Sequence, residues 1–240
     1  FTDGDDDSMH RVIHDLGPDR VHVVVTLRPL ARILASQWQQ AIKGGLKTPL
    51  DAWLKGVLEG DGRAASTFWH RHRHDLLIER WAMAAGPGNL TVVVVDDRDH
   101  GLVLRAFEEL LGLQSGTLPE VRDRSNRSMT QFEADTLQAF NRAFSEAGLR
   151  SQWAHRVRQR TVRRYLQSRN PGPEERRIEA PPWALDRAHG VALEMVAAIR
   201  TSGVPVIGDL DRLATPGGSG EAGATGQEAT GPVSLPPSLR

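Results

Sequence analysis

Cysteine is absent from the 240 residues, and with it go disulfides, thiolate metal centres and any cysteine nucleophile. That lack fits either redox compartment. Net charge is absent too: 30 Lys and Arg balance 30 Asp and Glu. No global field therefore draws the chain to nucleic acid or to an anionic membrane, and any phosphate site must be local. No apolar run approaches the roughly 20 residues of a membrane-spanning helix, so a soluble, cytoplasmic protein without membrane insertion is expected. Phe1 is preceded by no methionine and followed by no basic, signal-like segment, which leads to the expectation that the start is cut.

Several phosphate and metal signatures are missing as well. Lys43-Gly44-Gly45 puts its lysine before the glycines, the reverse of a phosphate-cradling loop. Asp3, Asp5, Asp6 and Asp7 lack the remaining positions of a calcium loop. His70, His72 and His74 are two apart, so on a helix they point to different faces and cannot converge on one ion. No metal is expected.

What is present is an alternation of buried-strand and amphipathic-helix patterns. Residues 21–27 are apolar and β-branched except for His22, reading as a strand buried on both faces, with His22 a satisfied core residue. Pro29 suits a helix start. From about Leu30, positions Leu30, Ile33, Leu34, Trp38 and Ala41 gather on one face, with Arg32, Ser36, Gln39 and Lys43 on the other. Lys43-Gly44-Gly45 ends the periodic pattern, with a glycine cap as the simple explanation. Thr48-Pro49 predicts another helix start with Thr48 as its cap, and a longer helix is expected over 66–85, ending at Gly86-Pro87-Gly88.

Residues 90–95 form the second strand pattern, followed by an Asp-rich turn read as ordinary loop chemistry and a helix from Leu102 to Gly112. Thr130-Gln131-Phe132-Glu133 fits a capping box before the helix of Leu137 and Phe140. A basic stretch over 153–167 reads as a solvated helix face near the cleft rather than a nucleic-acid surface. The last helix is expected over 185–201. Two apolar strands separated by helices favour a parallel sheet with right-handed crossovers. The organisation expected is an acidic segment with a short helix (1–20), an α/β domain (21–213) and a disordered tail rich in Gly, Pro and Ser (214–240).

The functional reading centres on Arg28 and Ser36. Arg28 falls at the carboxyl end of a strand and Ser36 on the polar face of the next helix, where open α/β sheets bind ligands. Arginine offers a planar fork for phosphate oxygens and serine a short donor. The pair, eight apart, resembles the 3′-phosphate-binding signature of sulfotransferases that use 3′-phosphoadenosine 5′-phosphosulfate. The context Arg28-Pro29-Leu30-Ala31-Arg32 leading to Ser36-Gln37-Trp38-Gln39 is most similar to sulfotransferase-like proteins of actinobacteria. Asn126-Arg127-Ser128-Met129, Asn141 and the segment from Val204 to Leu213 resemble later parts of that family.

The resemblance implies a P-loop-NTPase-like parallel sheet flanked by helices, N-terminally incomplete, because the family's Gly/Ser/Thr-rich loop for the 5′-phosphosulfate has no counterpart before Val21. It implies 3′-phosphoadenosine 5′-phosphosulfate as co-substrate, without a metal, and a small-molecule or glycan acceptor whose hydroxyl or amine receives the sulfonate. Arg28, Ser36, Asn126 and Ser128 are the candidate nucleotide-binding residues, the last two on a basic loop close to a helix N-terminus, for which a purely structural role is an equally good reading. No catalytic base is assigned, since His10, His14 and His22 match none of the family's positions. The alternative is a non-catalytic nucleotide-binding or structural domain that keeps the fold. Acceptor identity and oligomeric state are not encoded in these patterns.

Overall fold

A computed structural model describes residues 6–120, 127–148, 153, 157, 165 and 168–215. The acidic residues 1–5, Asn126, most of the basic stretch 153–167 and the tail 216–240 lie outside the described residues.

Three parallel strands form one sheet in the order β1–β2–β3: β1 is Val23–Leu27, β2 Leu90–Val94 and β3 Val206–Ile207. Val23 pairs with Leu90 and Leu27 with Val94, while Val92 pairs with Val206. Parallel neighbours require long crossovers, and helices supply them. Before β1 comes α1 (Asp6–Leu16). Between β1 and β2 come α2 (Leu30–Gly44), α3 (Leu50–Leu58), α4 (Arg63–His72) and α5 (His74–Ala85). After β2 come α6 (Leu102–Leu110), α7 (Gln131–Glu146) and α8 (Pro182–Thr201). Among the described residues, no helix is long and apolar enough to cross a membrane.

Side-chain alternation along the strands decides which helices cover which face. Val25, Leu27, Leu90, Val92 and Val94 point into the main core with Met9 and Ile13 of α1, Leu77 and Ile78 of α5, and Met195 and Ile199 of α8. On the opposite face, Val93 and Ile207 pack against Ala106, Leu102 and Val103 of α6. Every residue of β2 is buried, but Val23 and Val24 are half-buried and Thr26 is exposed, so β1 is not buried on both faces as its composition predicts. Among the described residues it is an edge strand, and on this face only its Val24 joins the cluster of α6. The half-buried His22 has its Nε2 2.8 Å from the buried Thr91 Oγ1, and burial lowers its pKa.

The helix expected over 66–85 is two helices. At Arg73 the backbone leaves the helical region (ψ 87°), and its guanidinium turns onto Asp75 in the first turn of α5, with Nε and Nη2 donating to the two carboxylate oxygens at 2.9 and 2.6 Å. The three histidines separate accordingly. His70 Nε2 meets Arg80, whereas His74 is buried with its backbone N–H on Met195 Sδ. Among the described residues, no group of three metal-ligating side chains forms. Thr48 does not cap α3 by its side chain; its carbonyl instead accepts from Trp38 Nε1 at 3.1 Å and Gln138 Nε2 at 2.7 Å. The ending of α2 is as expected, with Gly45 at φ 112° and its N–H on Ile42 O, while the Leu46 N–H reaches Ala41 O.

Helix α2 lies between two cores. Leu30 and Leu34 face the sheet, while Trp38 and Ile42 join Met129, Ala134, Leu137 and Ile178 in a second cluster built on α7. Gln39 therefore does not lie on a solvated face. It is 5% exposed, and its Oε1 accepts the Met129 N–H at 2.8 Å.

Candidate functional site

The three strands run in the same direction, so the residues that follow them collect at one end of the sheet. Arg28 follows β1 directly. Its side chain is exposed and makes no hydrogen bond or ion pair with any of the described residues. The start of α2 beside it has no side-chain cap, and such a start presents unpaired N–H groups and the positive end of the helix dipole. Ser36 is exposed on α2, six residues and about 9 Å of axial rise beyond Leu30. Arg32 lies between them, one turn before Ser36 on the same side of the helix.

The loop after β2 supplies the acids of this edge. The ladder continues past β2, with the Val95 N–H on Leu27 O at 2.8 Å, so residues 96–99 emerge beside the start of α2. Asp97 approaches Arg32, Oδ2 to Nε 3.7 Å, with both side chains more than half exposed. Asp96 accepts the Arg98 N–H and the Arg212 guanidinium, each at 3.0 Å. The turn rich in aspartate is thus partly the loop chemistry its composition suggests, since Asp96 folds back on its own backbone. It is also the acidic wall of the candidate site. That wall escapes a reading by segments, because Asp97 and Arg32 are far apart in sequence. The signal for it is the parallel pairing, which sets whatever follows Leu27 beside whatever follows Val94.

The second candidate region is the 127–129 loop. Ser128 is exposed, and the Gln39–Met129 hydrogen bond lays this loop against α2 one turn past Ser36. Asn126 lies outside the described residues. The capping box of α7 forms as read: Glu133 N–H donates to Thr130 Oγ1 at 3.3 Å and Thr130 N–H to Glu133 Oε2 at 3.0 Å. Arg127 is not available to an incoming anion in the way the basic loop suggests. It forks onto the fully buried Glu133 at 2.7 and 2.6 Å, and Arg169 adds a third bond at 3.0 Å.

Arg169 also holds Glu175, which accepts from Thr130 Oγ1 at 2.6 Å. The Arg169 hydrogen bond, followed by that of Thr130, depresses the Glu175 pKa to about 2. For Glu133, burial would raise the pKa, but the Arg127 fork, the Thr130 N–H and the two guanidinium charges outweigh it, and the net shift is downward. The network ties the 127–130 loop, the start of α7 and residues 169–177 into one unit, helped by the Gln131 N–H on Arg176 O at 2.9 Å. Asn141 likewise serves the fold, its Nδ2 donating to the Ile42 and Leu46 carbonyls at the end of α2.

The arrangement thus offers one exposed guanidinium beside an uncapped helix start, a second on the first turn of that helix held loosely by an acid, and the exposed Ser36 hydroxyl one turn farther along it. This donor set suits a phosphate monoester. No family model, curated protein or solved structure matches the chain.

Proposed function

We propose that the chain binds the 3′-phosphate of a 3′-phosphoadenosine nucleotide through Arg28 and Ser36, within a sulfotransferase-like, P-loop-NTPase-like α/β fold. The observation that carries this reading is Arg28, an exposed arginine at the carboxyl end of β1 without a partner among the described residues, followed by the exposed Ser36 on α2. The proposed co-substrate is 3′-phosphoadenosine 5′-phosphosulfate, which supplies an activated sulfonate for transfer to an acceptor hydroxyl or amine. Arg28 forks onto two phosphate oxygens, Ser36 donates its hydroxyl, and the dipole of α2 favours the same charge. Ser128, exposed on the loop joined to α2 through Gln39, is the candidate for a third donor.

A second reading is a non-catalytic nucleotide-binding domain that keeps the same fold. The two readings share the 3′-phosphate site, and one titration tests it. Calorimetry should show 3′-phosphoadenosine 5′-phosphate binding to the chain. Arg28→Ala should lose about tenfold or more in affinity and Ser36→Ala about threefold, the effects of losing a charge-assisted and a neutral hydrogen bond. Equal binding of adenosine 5′-phosphosulfate, which lacks the 3′-phosphate, would overturn the proposal.

A further inference from the structure

The contact between Arg32 and Asp97 is a loose, exposed ion pair that joins α2 to the loop after β2 beside Arg28. Two arginines of the protein grip carboxylates through two atoms, Arg73 on Asp75 and Arg127 on Glu133, in forks with bonds of 2.6 to 2.9 Å, whereas other pairs, such as Arg80 with Asp6 and Arg212 with Asp209, stay at 3.9 Å. Arg32 comes nearest to Asp97 through Nε, at 3.7 Å, beyond hydrogen-bond distance, with side chains 54% and 56% exposed. The pair crosses from α2 to the loop after β2 at the carboxyl edge of the sheet, between Arg28 and Ser36 in the chain. A guanidinium held this loosely keeps its remaining N–H groups turned to solvent, where they can take another acceptor.

We infer that Arg32 is a further ligand of the anion bound by Arg28 and Ser36, and that Asp97 is its resident competitor, holding the guanidinium at the site until a phosphate displaces the carboxylate. This rests on the reading of Arg28 and Ser36 as a phosphate site, and it adds a specificity element to that site. Asp97 disfavours weakly charged anions, which gain too little from Arg32 to offset the nearby carboxylate, and admits dianionic phosphate monoesters. Nothing covalent is involved. Arg32 changes partner and Asp97 passes to water, at little cost because it is already more than half exposed.

Both side chains are exposed, so substitutions there leave the core intact and the test reads binding alone. The probes are 3′-phosphoadenosine 5′-phosphate and inorganic pyrophosphate, titrated at low salt into the unmodified chain, Asp97→Asn, Arg32→Ala and the double variant. Asp97→Asn should tighten binding about two- to fivefold, from the modest Coulomb energy of an exposed carboxylate at this distance. Arg32→Ala should weaken it about fivefold, and the gain from Asp97→Asn should fall by about half or more when Arg32 is absent.

Nucleotide binding that depends on Arg28 but is unchanged by both substitutions would overturn the inference and leave the proposed function standing. Pyrophosphate binding that follows Arg32 and Asp97, in a chain that ignores the nucleotide, would do the reverse. No binding of either probe by any variant would overturn both.

Discussion

Arg127 and Arg28 are the same residue type in loops of similar appearance, yet they have opposite fates. Arg127 neutralises Glu133, a carboxylate with no exposed surface, and a charge buried that deeply must be paired. Arg28 has no such obligation and stays available. Burial also sets the behaviour of His74, which is 4% exposed with its Nδ1 lacking a hydrogen-bond partner. Desolvation first, and the neighbouring His72 second, push its pKa down to about 4, with Asp75 opposing. The folded pKa lies below the unfolded one, so the unfolded chain binds the extra proton between these two values, and stability falls as pH drops through that window. From about pH 7 to about pH 5 the His74 contribution is a loss of about 2 kcal/mol. Urea midpoints at the two pH values should show this loss in the native chain and a smaller one in His74→Gln; equal losses would refute the assignment. Below that range, protonation of Glu175 should weaken its network, since its depressed pKa makes its contribution one that is present above its usual range and lost toward pH 2.

At the scale of elements, the sequence is most informative where a local pattern has one use. The capping box of α7, the glycine that ends α2 and the strand β2 could all be read directly, because each depends on neighbouring residues alone. Gln39 could not. Its polar side chain implies water, and only the packing of α7 on the back of α2 turns it inward. The split between α4 and α5 was hidden for a similar reason, as the apolar periodicity runs through Arg73 with no proline or glycine to mark the break. β3 escaped notice because two residues carry no period. At the candidate site, Arg28, Arg32 and Ser36 were visible as a strand-to-helix pattern, whereas the approach of Asp97 depends on strand pairing. The end of β3 carries its own constraint: Gly208 has φ 95°, and a Cβ there would lie 2.9 Å from Val94 O and 3.4 Å from Val94 Cβ. Gly208→Ala should therefore cost about 2 kcal/mol or more in chemical denaturation, since both the backbone angle and the contact with β2 resist it. An unchanged midpoint would show that the turn relaxes.

For the whole molecule, β2 is the centre, with a strand on each side, every residue buried and both faces covered. Amide exchange should be slowest there, reporting global opening, and faster in β1, which among the described residues pairs on one side only and carries the exposed Thr26. Equal protection of the two strands would contradict this ordering.

Helix α2 is fixed at several points: Leu34 in one core, Trp38 and Ile42 in the other, Gln39 bonded to the 127–129 loop, and Asn141 on its last carbonyls. The spacing of Arg32 and Ser36 along it is set before any ligand arrives. An anion at this edge would spend little of its binding free energy ordering the helix, and would have to immobilise serine rotors and two arginine side chains, each arginine carrying about 2 kcal/mol of rotamer entropy. The helix acts as a preorganised ruler, leaving affinity to be adjusted by the side chains it carries.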